Sequence, residues 1–203
     1  MNYLLALLLS FTALTAQAAT AKPAASASAP VETAIFAGGC FWCSESDFEK
    51  LKGVTSVVSG YIGGHVKNPR YEHVSSGASG HLEAVKIEYN PAQVSYAQLL
   101  DHFWRHHDFL DADGQFCDRG EQYSPAIFTT NTQQSLTAEA SKKTLMKSRG
   151  FKNIATRILP ASTFYIAEDY HQDYYKKNSI RYGLNHVFTL CNCPPVMLFI
   201  YSH

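Results

Sequence analysis

Residues 33–43 read TAIFAGGCFWC, and this stretch decides the fold because its pattern changes in the middle. The first five residues are mostly apolar and predict a short buried strand, which the glycines at 38 and 39 interrupt. From Cys40 onward the apolar residues recur at helical spacing until Gly53 ends the run. The sequence therefore predicts a strand followed directly by a helix, with a cysteine at the turn between them.

A thiol at the first turn of a helix is a candidate nucleophile. Unpaired backbone N–H groups at that position stabilise a thiolate, so we expect a lowered pKa for Cys40. The preceding glycines allow a tight turn and a close approach of a ligand. Phe41 and Trp42 would give the thiol an apolar wall suited to a small apolar group. The alternative is a structural cysteine followed by two aromatic residues of the core.

The same segment has the Cys-x-x-Cys spacing of thioredoxin-like redox proteins, formed by Cys40 and Cys43. Cys43 could resolve an oxidised Cys40 by forming a disulfide with it. The other interpretation is that Cys43 only packs.

The rest of the chain alternates between short strands and helices. We expect strands at 54–59, 82–89, 126–130 and 154–158, the last with 163–167 beside it, and helices at 95–107, 132–148 and 168–177. Ser95 and Gln98 form a capping box at the start of the second helix. Residues 60–80 and 108–120 are long polar loops of the kind that often carries function. Mixed short elements favour an α/β two-layer sandwich with one core.

Glu83 is an anomaly in the strand at 82–89. Strict alternation places it on the same face as Val85, Ile87 and Tyr89, so its carboxyl group points toward the apolar side. Burial disfavours the charged form, raises the pKa and allows the group to donate a proton near neutral pH. The alternative is that Glu83 lies at the strand end and pairs with a cation.

Each long loop offers polar groups that could surround a reacting oxygen. Tyr71 lies in the first loop, and Asp118 and Tyr123 lie in or just after the second. Their hydroxyl and carboxyl groups can hydrogen-bond an oxygen that gains charge during a reaction. The alternative is that these tyrosines pack on the core.

Composition excludes several classes of protein. The chain has 203 residues, 46% of them hydrophobic, and its 17 basic and 17 acidic side chains give a formal net charge of zero. These values are typical of a globular domain and argue against disorder, collagen and coiled coil. Balanced charge gives no electrostatic case for binding nucleic acid. Five cysteines are too few for a disulfide framework and leave at least one thiol over.

The amino-terminal part reads as an export signal. Residues 1–18 carry no charged side chain and contain an apolar core, too short to span a membrane, before the small-x-small site at 16–18. We expect cleavage there, an Ala/Ser/Pro linker at 19–31, and a periplasmic or secreted protein that does not associate with the membrane. The alternative is a short amino-terminal helix or an uncleaved anchor.

Several motifs together resemble the peptide methionine sulfoxide reductase A family. The match runs from about residue 35 to 182, in the family's order. It comprises GGCFWC at 38–43, GYIGG at 60–64, GHLEAV at 80–85, the loop from Asp118-Arg119-Gly120 to Tyr123, and AEDYHQ at 167–172.

The resemblance implies a fold and a reaction. The fold would be a single-domain α/β two-layer sandwich, a mixed sheet with helices packed on it and a ferredoxin-like core, over residues 32–182. The chain would be a peptide-methionine (S)-S-oxide reductase that repairs oxidised proteins, acts on free and peptide-bound sulfoxide, and works as a monomer. It would hold no bound cofactor or metal, and a thioredoxin-like thiol reductant would recycle it.

The resemblance also implies residue roles. Cys40 would attack the sulfoxide sulfur and become a sulfenic acid, which a second cysteine converts to a disulfide. Glu83 would protonate the sulfoxide oxygen. The substrate methyl group would lie against Phe41 and Trp42. The polar pocket would be completed by Tyr71, Asp118 and Tyr123.

The match fades after residue 182, and residues 183–203 form a divergent tail that carries Cys191 and Cys193. The resolving cysteine therefore stays open among Cys43, Cys191, Cys193 and Cys117. Two other classes remain as alternatives. One is a thiol–disulfide oxidoreductase that uses Cys40 and Cys43, and the other is a zinc module that adds the tail cysteines to this pair.

Overall fold

The computed structural model describes residues 30–179, in which helices pack on a mixed sheet within one domain. The predicted leader, most of the predicted linker and the predicted tail lie outside these residues. The strands are β1 (Glu32–Ala37), β2 (Val54–Ile62), β3 (Leu82–Tyr89), β4 (Gly114–Gln115), β5 (Asp118–Arg119), β6 (Ala126–Thr129), β7 (Arg157–Pro160) and β8 (Tyr165–Ile166). The helices are α1 (Phe41–Glu49), α2 (Tyr71–Ser75), α3 (Tyr96–His106), α4 (Thr132–Arg149) and α5 (Tyr174–Lys177).

The main sheet has six strands in the order β7-β6-β1-β3-β2-β8. All neighbouring pairs are antiparallel except β6 and β7, which are parallel, so the predicted mixed sheet is confirmed. The strands β4 and β5 form a separate hairpin within the second polar loop.

Strand alternation divides the core between the two faces of the sheet. Ala34 and Phe36 of β1 belong to the larger cluster, which also contains buried residues of α1, α3 and α4. Ile35 and Ala37 belong to a smaller cluster on the other face. Because side chains alternate along a strand, one short segment supplies both clusters and anchors the junction with α1.

The sequence placed most elements correctly. The strand β3 has the predicted bounds, and the predicted capping box opens α3: the Gln98 amide donates to Ser95 Oγ, and the Ser95 amide donates to Gln98 Oε1. Gly150 ends α4 with a left-handed conformation, φ 70°.

Five expectations about the elements were wrong. The strand β2 continues to Ile62, and the supposed loop at 60–80 contains α2. Of the strand expected at 154–158, only the end lies in β7. The segment expected at 163–167 does not lie beside β7, because β8 pairs with β2 at the opposite edge of the sheet. Of the helix expected at 168–177, only α5 is helical.

Within residues 30–179, every helix is too short or too polar to cross a bilayer.

Candidate active site

The junction between β1 and α1 fixes the position of Cys40. Gly39 adopts φ 92°, a conformation that favours glycine, and a Cβ at this position would lie 2.6 Å from Gln115 Cβ. Cys40 follows as the amino-terminal capping residue of α1. The predicted strand–cysteine–helix turn is therefore present, and the β4–β5 hairpin packs directly against it.

The predicted lowering of the Cys40 pKa was wrong. A hydrogen bond with Cys43 and burial raise the pKa of this thiol well above its usual value, and Glu83 and Asp118 add to the rise where their carboxyl groups are ionised. The helix amides that should have lowered it are used elsewhere. The Phe41 amide donates to Glu83 Oε2 at 3.1 Å, and the Cys43 amide donates to the Cys40 carbonyl oxygen at 3.1 Å. Cys40 is thus a neutral thiol at rest.

Glu83 points inward, as the strand alternation predicted, and its side chain is 2% exposed. Burial raises its pKa to about 8, against the opposing effect of the Phe41 amide, with Asp118 and Cys43 contributing further. Within residues 30–179 the carboxyl group forms no salt bridge, so the alternative of a strand-end ion pair does not describe it. A carboxylic acid that still carries its proton at neutral pH therefore lies beside the thiol.

Three further predicted residues gather around this pair. Tyr71 begins α2, Asp118 begins β5, and Tyr123 ends the 3-10 turn Glu121–Tyr123. The Tyr123 hydroxyl donates to the Tyr71 oxygen, and burial raises the pKa of both phenols and of Asp118. Both tyrosines interact electrostatically with Cys40 and Glu83. The two loops thus bring two phenol hydroxyl groups and a carboxyl group to the thiol.

Phe41 and Trp42 form the apolar side of the site. Phe41 is 1% exposed, and its ring centre lies 6.3 Å from that of Trp42. The Trp42 indole stacks on Tyr174 of α5, with ring centres 3.7 Å apart. Its Nε1 donates to His171 Nδ1 at 3.1 Å. The orientation of Trp42 is therefore fixed from two sides.

Two residues that organise the site were not assigned roles from the sequence, although both lie in the quoted motif at 167–172. Glu168 accepts hydrogen bonds from the Tyr71 amide at 2.9 Å and from the Tyr61 hydroxyl at 2.8 Å. His171 is 2% exposed and lies among the rings of Phe41, Trp42 and Tyr71. Burial lowers its pKa, so the imidazole is neutral and can accept the indole proton. The motif itself was the available signal.

Two of the four candidates for the resolving cysteine lie within the described residues. Cys43 carries a thiol and is hydrogen-bonded to Cys40. Cys117 is engaged in a disulfide. Cys191 and Cys193 lie outside the described residues.

One group of side chains between 30 and 179 has metal-ligand spacing, although the predicted site does not include it. Donor atoms of Glu45, Glu49 and Asp173 lie within 4.8 Å of one another. Glu45 accepts hydrogen bonds from the Ser59 hydroxyl and the Asp173 amide, and Lys176 pairs with the other two carboxylates. These partners already satisfy the acidic groups, so the cluster is explained as a contact that holds α5 against α1.

A thiol beside a buried, protonated carboxyl group and two aromatic side chains, on an α/β sheet, is the arrangement expected of a thiol-dependent oxidoreductase. The family model described as peptide methionine sulfoxide reductase matches residues 32–190. The chain therefore belongs to the peptide methionine sulfoxide reductase family.

Relatives and solved structures agree with this assignment. The chain is 54% identical over 154 residues to peptide methionine sulfoxide reductase MsrA of Ligilactobacillus salivarius, a match covering 75% of this chain and 90% of the relative. Among solved structures, methionine sulfoxide reductase A of Corynebacterium diphtheriae superposes with a TM-score of 0.69 at 33% identity, covering 73% and 76% of the two chains. Reduced Mxr1 of Saccharomyces cerevisiae gives a TM-score of 0.69 at 30% identity, covering 73% and 86%.

Proposed function

We propose that this chain is a peptide-methionine (S)-S-oxide reductase, which converts methionine sulfoxide in oxidised proteins, and in free form, to methionine. The observation that carries the proposal is the Cys40 thiol next to the buried Glu83, whose pKa is about 8. Family membership supports the same reaction. The (S) epimer is proposed because a chiral sulfur fits an asymmetric pocket in one orientation, and the family resemblance favours that epimer.

The first chemical step transfers oxygen from the sulfoxide to Cys40. Glu83 donates its proton to the sulfoxide oxygen, which makes the sulfur more electrophilic and the oxygen a better leaving group. Cys40 Sγ attacks that sulfur and gives up its own proton, which restores the neutral Glu83 carboxyl group. The S–O bond of the substrate breaks, and the hydroxide that it releases attacks Cys40 Sγ. The new bond between Cys40 Sγ and the substrate sulfur then breaks, methionine leaves with its electron pair, and Cys40 retains the oxygen as a sulfenic acid.

The surrounding residues have complementary roles in this proposal. Tyr71, Tyr123 and Asp118 hold the polar oxygen as its charge changes. Burial raises the pKa of both phenols, so their hydroxyl groups remain donors at neutral pH, and it also raises the pKa of Asp118. Phe41 and Trp42 hold the methyl group against an apolar wall. The pocket would thus bind the two ends of the sulfoxide group by different chemistry.

Cys43 is proposed as the resolving cysteine. Its thiol attacks Cys40 sulfenic acid, releases water and forms the Cys40–Cys43 disulfide. The existing hydrogen bond between these side chains supports this choice because the two sulfurs are already close. The disulfide that occupies Cys117 makes this residue a weaker candidate.

An external dithiol would then reduce the enzyme, and a thioredoxin-like protein is proposed as that donor. Yeast Mxr1, which the chain resembles in its reduced form, has also been solved in complex with Trx2. No bound cofactor or metal enters the scheme. Export to the periplasm or out of the cell, cleavage of the leader at 1–18, a linker at 19–31, a catalytic domain at 32–182, a separate tail at 183–203 and a monomeric state remain parts of the proposal.

The core is further proposed to be ferredoxin-like. If the edge strands, the short helix α2, the β4–β5 hairpin and everything after β6 are set aside, the order of elements is β1-α1-β2-β3-α3-β6. The four strands lie in the order β6-β1-β3-β2 with antiparallel neighbours. This arrangement of two interleaved split β-α-β units supports the proposal.

The deciding experiment compares sulfoxide reduction with disulfide reduction. Purified protein should reduce dabsyl-methionine-(S)-sulfoxide much faster than insulin, and should leave the (R) epimer unchanged. Cys40→Ser should abolish methionine formation, whereas Cys43→Ser should still form one methionine per enzyme without reductant. Preferential reduction of insulin would instead identify a thiol–disulfide oxidoreductase.

A further inference from the structure

A cavity borders Cys40 and Cys43 on the side of α3. It has a volume of about 250 Å³ and lies between α1, the end of α3 and the β4–β5 hairpin. Both Cys40 and Cys43 line it. Liquid water occupies about 30 Å³ per molecule, so the cavity has room for a small organic group rather than a single solvent molecule.

The lining of this cavity does not include the proton donor or the aromatic wall of the proposed sulfoxide site. Among the described residues of the candidate active site, three line this cavity: Cys40, Cys43 and Asp118. The proton donor Glu83 and the aromatic residues Phe41 and Trp42 do not border it. A sulfoxide bound in this cavity would therefore lack both its acid and its methyl-binding wall.

The lining suits an aliphatic group that ends in a thiol. Cys43, Ser44 and Phe48 follow one another along one face of α1, and Phe103 closes the cavity from α3. Most of the lining is apolar, and the sulfur atoms are the groups with redox chemistry. An aliphatic stem can lie against the phenyl rings while its thiol meets the cysteines.

We propose that this α3-side cavity is the binding site of the thiol reductant, so that sulfoxide and reductant reach the cysteine pair from different sides. The inference rests on the proposed reaction and on the Cys40–Cys43 disulfide. The occupant is the dithiol end of that reductant, for which a small aliphatic dithiol is the probe, and it enters after methionine has left.

The reducing step balances as a two-electron exchange. One thiolate of the dithiol attacks Cys43 Sγ, the Cys40–Cys43 bond breaks, and its electron pair goes to Cys40 Sγ, which takes up the proton that the attacking thiol released. The second thiol of the reductant then attacks the mixed disulfide. Cys43 leaves as a thiol, and the reductant departs as an intramolecular disulfide.

His106 offers a way to block the cavity without touching the core. It is an exposed residue in the last turn of α3 that lines the cavity, and its neighbour Arg105 is exposed but does not line it. His106→Trp should obstruct the cavity, and Arg105→Trp is the matched control. Ser44→Leu narrows the same cavity from α1 and provides a second, independent variant.

Two rates are measured for each variant with dithiothreitol as the reductant. The first is methionine formation in a single turnover without reductant, and the second is reduction of the isolated disulfide form under pseudo-first-order conditions. His106→Trp and Ser44→Leu should lower the second rate at least tenfold and leave the first within twofold of wild type. Arg105→Trp should change neither rate.

Three results would overturn the inference: unchanged disulfide reduction in both cavity variants, an equal loss of the two rates, or mass mapping of a turnover disulfide that lacks Cys43. If the wild-type protein forms no methionine in a single turnover, the proposed function itself fails. The two failures are therefore distinguishable.

Discussion

At Glu83, burial supplies the property that the chemistry needs. The side chain is 2% exposed in β3, and its pKa is about 8, so it holds a proton where a solvent-exposed glutamate would be ionised. The neighbouring Cys40 is also neutral, because its hydrogen bond with Cys43 and its burial raise the thiol pKa. The thiol must therefore lose its proton during the reaction and not before it.

Replacement of Glu83 by glutamine tests the proton donor. Glu83→Gln should lower the single-turnover rate at pH 7 by at least about 100-fold, the usual scale of general acid catalysis. The wild-type rate should fall as the pH rises through 8, because the carboxyl group then ionises, and the variant should lack this limb. The measurement is methionine formed by a quenched-flow assay between pH 6 and 9.

Glu45→Gln is the matched control for this experiment. Glu45 is also buried, with 1% exposure and a pKa raised by burial, but it bonds to Ser59 and Asp173 instead of facing the thiol. Its variant should keep a near-wild-type single-turnover rate. A wild-type rate in Glu83→Gln at pH 7 would remove the proton-donor role.

His171 is expected to act by positioning Trp42. His171→Phe leaves the indole N–H without its acceptor, which costs about 1–3 kcal/mol for a buried donor. The KM for sulfoxide should rise about tenfold with a smaller change in kcat, and the tryptophan emission maximum should shift. His171→Gln, whose side-chain oxygen can accept the same proton, should recover part of the affinity; a fall in kcat with unchanged KM would contradict this role.

At the scale of elements, the β1–α1 junction depends on Gly39. Its φ of 92° costs an L-residue about 1–2 kcal/mol, and a Cβ would also collide with Gln115 in the β4–β5 hairpin. We expect Gly39→Ala to lower the free energy of unfolding by about 2–4 kcal/mol, since overpacking adds to the backbone strain. It should also slow the single turnover by moving Cys40. Urea denaturation measures the first effect.

Gly77→Ala separates the cost of backbone strain from the cost of the collision with Gln115. Gly77 also has a positive φ, 75°, but a Cβ there would meet nothing within 4 Å. This variant should show the backbone cost alone, about 1–2 kcal/mol, with normal turnover. Equal losses of stability in the two variants would show that the hairpin contact contributes nothing.

Sequence patterns predicted a strand or helix correctly where interactions between neighbouring residues determine it. The alternation of β3 and the capping box of α3 depend on neighbours in the sequence, and both are present. The pairing of β8 depends on a distant strand, so its position beside β2 could not be read from residues 163–167. The polar segment 168–177 has the composition of a surface helix, but Glu168, His171 and Gln172 bond to Tyr71, Trp42 and Ser59 instead.

The candidate site also contains one property that depends on sequence neighbours and another that depends on distant residues. Burial of Glu83 followed from its own strand, whereas the pKa of Cys40 depends on which group captures the helix amides. The carboxyl group that accepts from Phe41 comes from 42 residues further along the chain. A helix terminus identified from sequence therefore predicts the nucleophile's position more safely than its ionisation.

At the scale of the whole molecule, buried titratable groups set opposite limits on stability. Burial lowers the pKa of His102 and His107 to about 4, so the unfolded chain takes up protons first as pH falls from 6.5 to 4, and stability is lost in that window. Glu83 has the opposite shift, from 4.5 to about 8, so its contribution is lost as pH rises over that range. The urea midpoint should be highest near pH 6.5.

One variant can assign the loss of stability above pH 6.5 to Glu83. Glu83→Gln should flatten the decline between pH 6.5 and 8 and leave the acid limb in place. An alkaline decline that persists unchanged in this variant would assign it to other groups. Equilibrium urea unfolding followed by circular dichroism from pH 4 to 9 provides the comparison.

The main sheet ends in two strands that offer little backbone for further pairing. Of these, β8 has two residues, and β7 has four and finishes with Pro160, which has no amide hydrogen. Long unpaired strand edges act as templates on which other chains assemble into aggregates. Because its edge strands are so short, this protein offers partly unfolded polypeptides little backbone on which to pair and form a fibril.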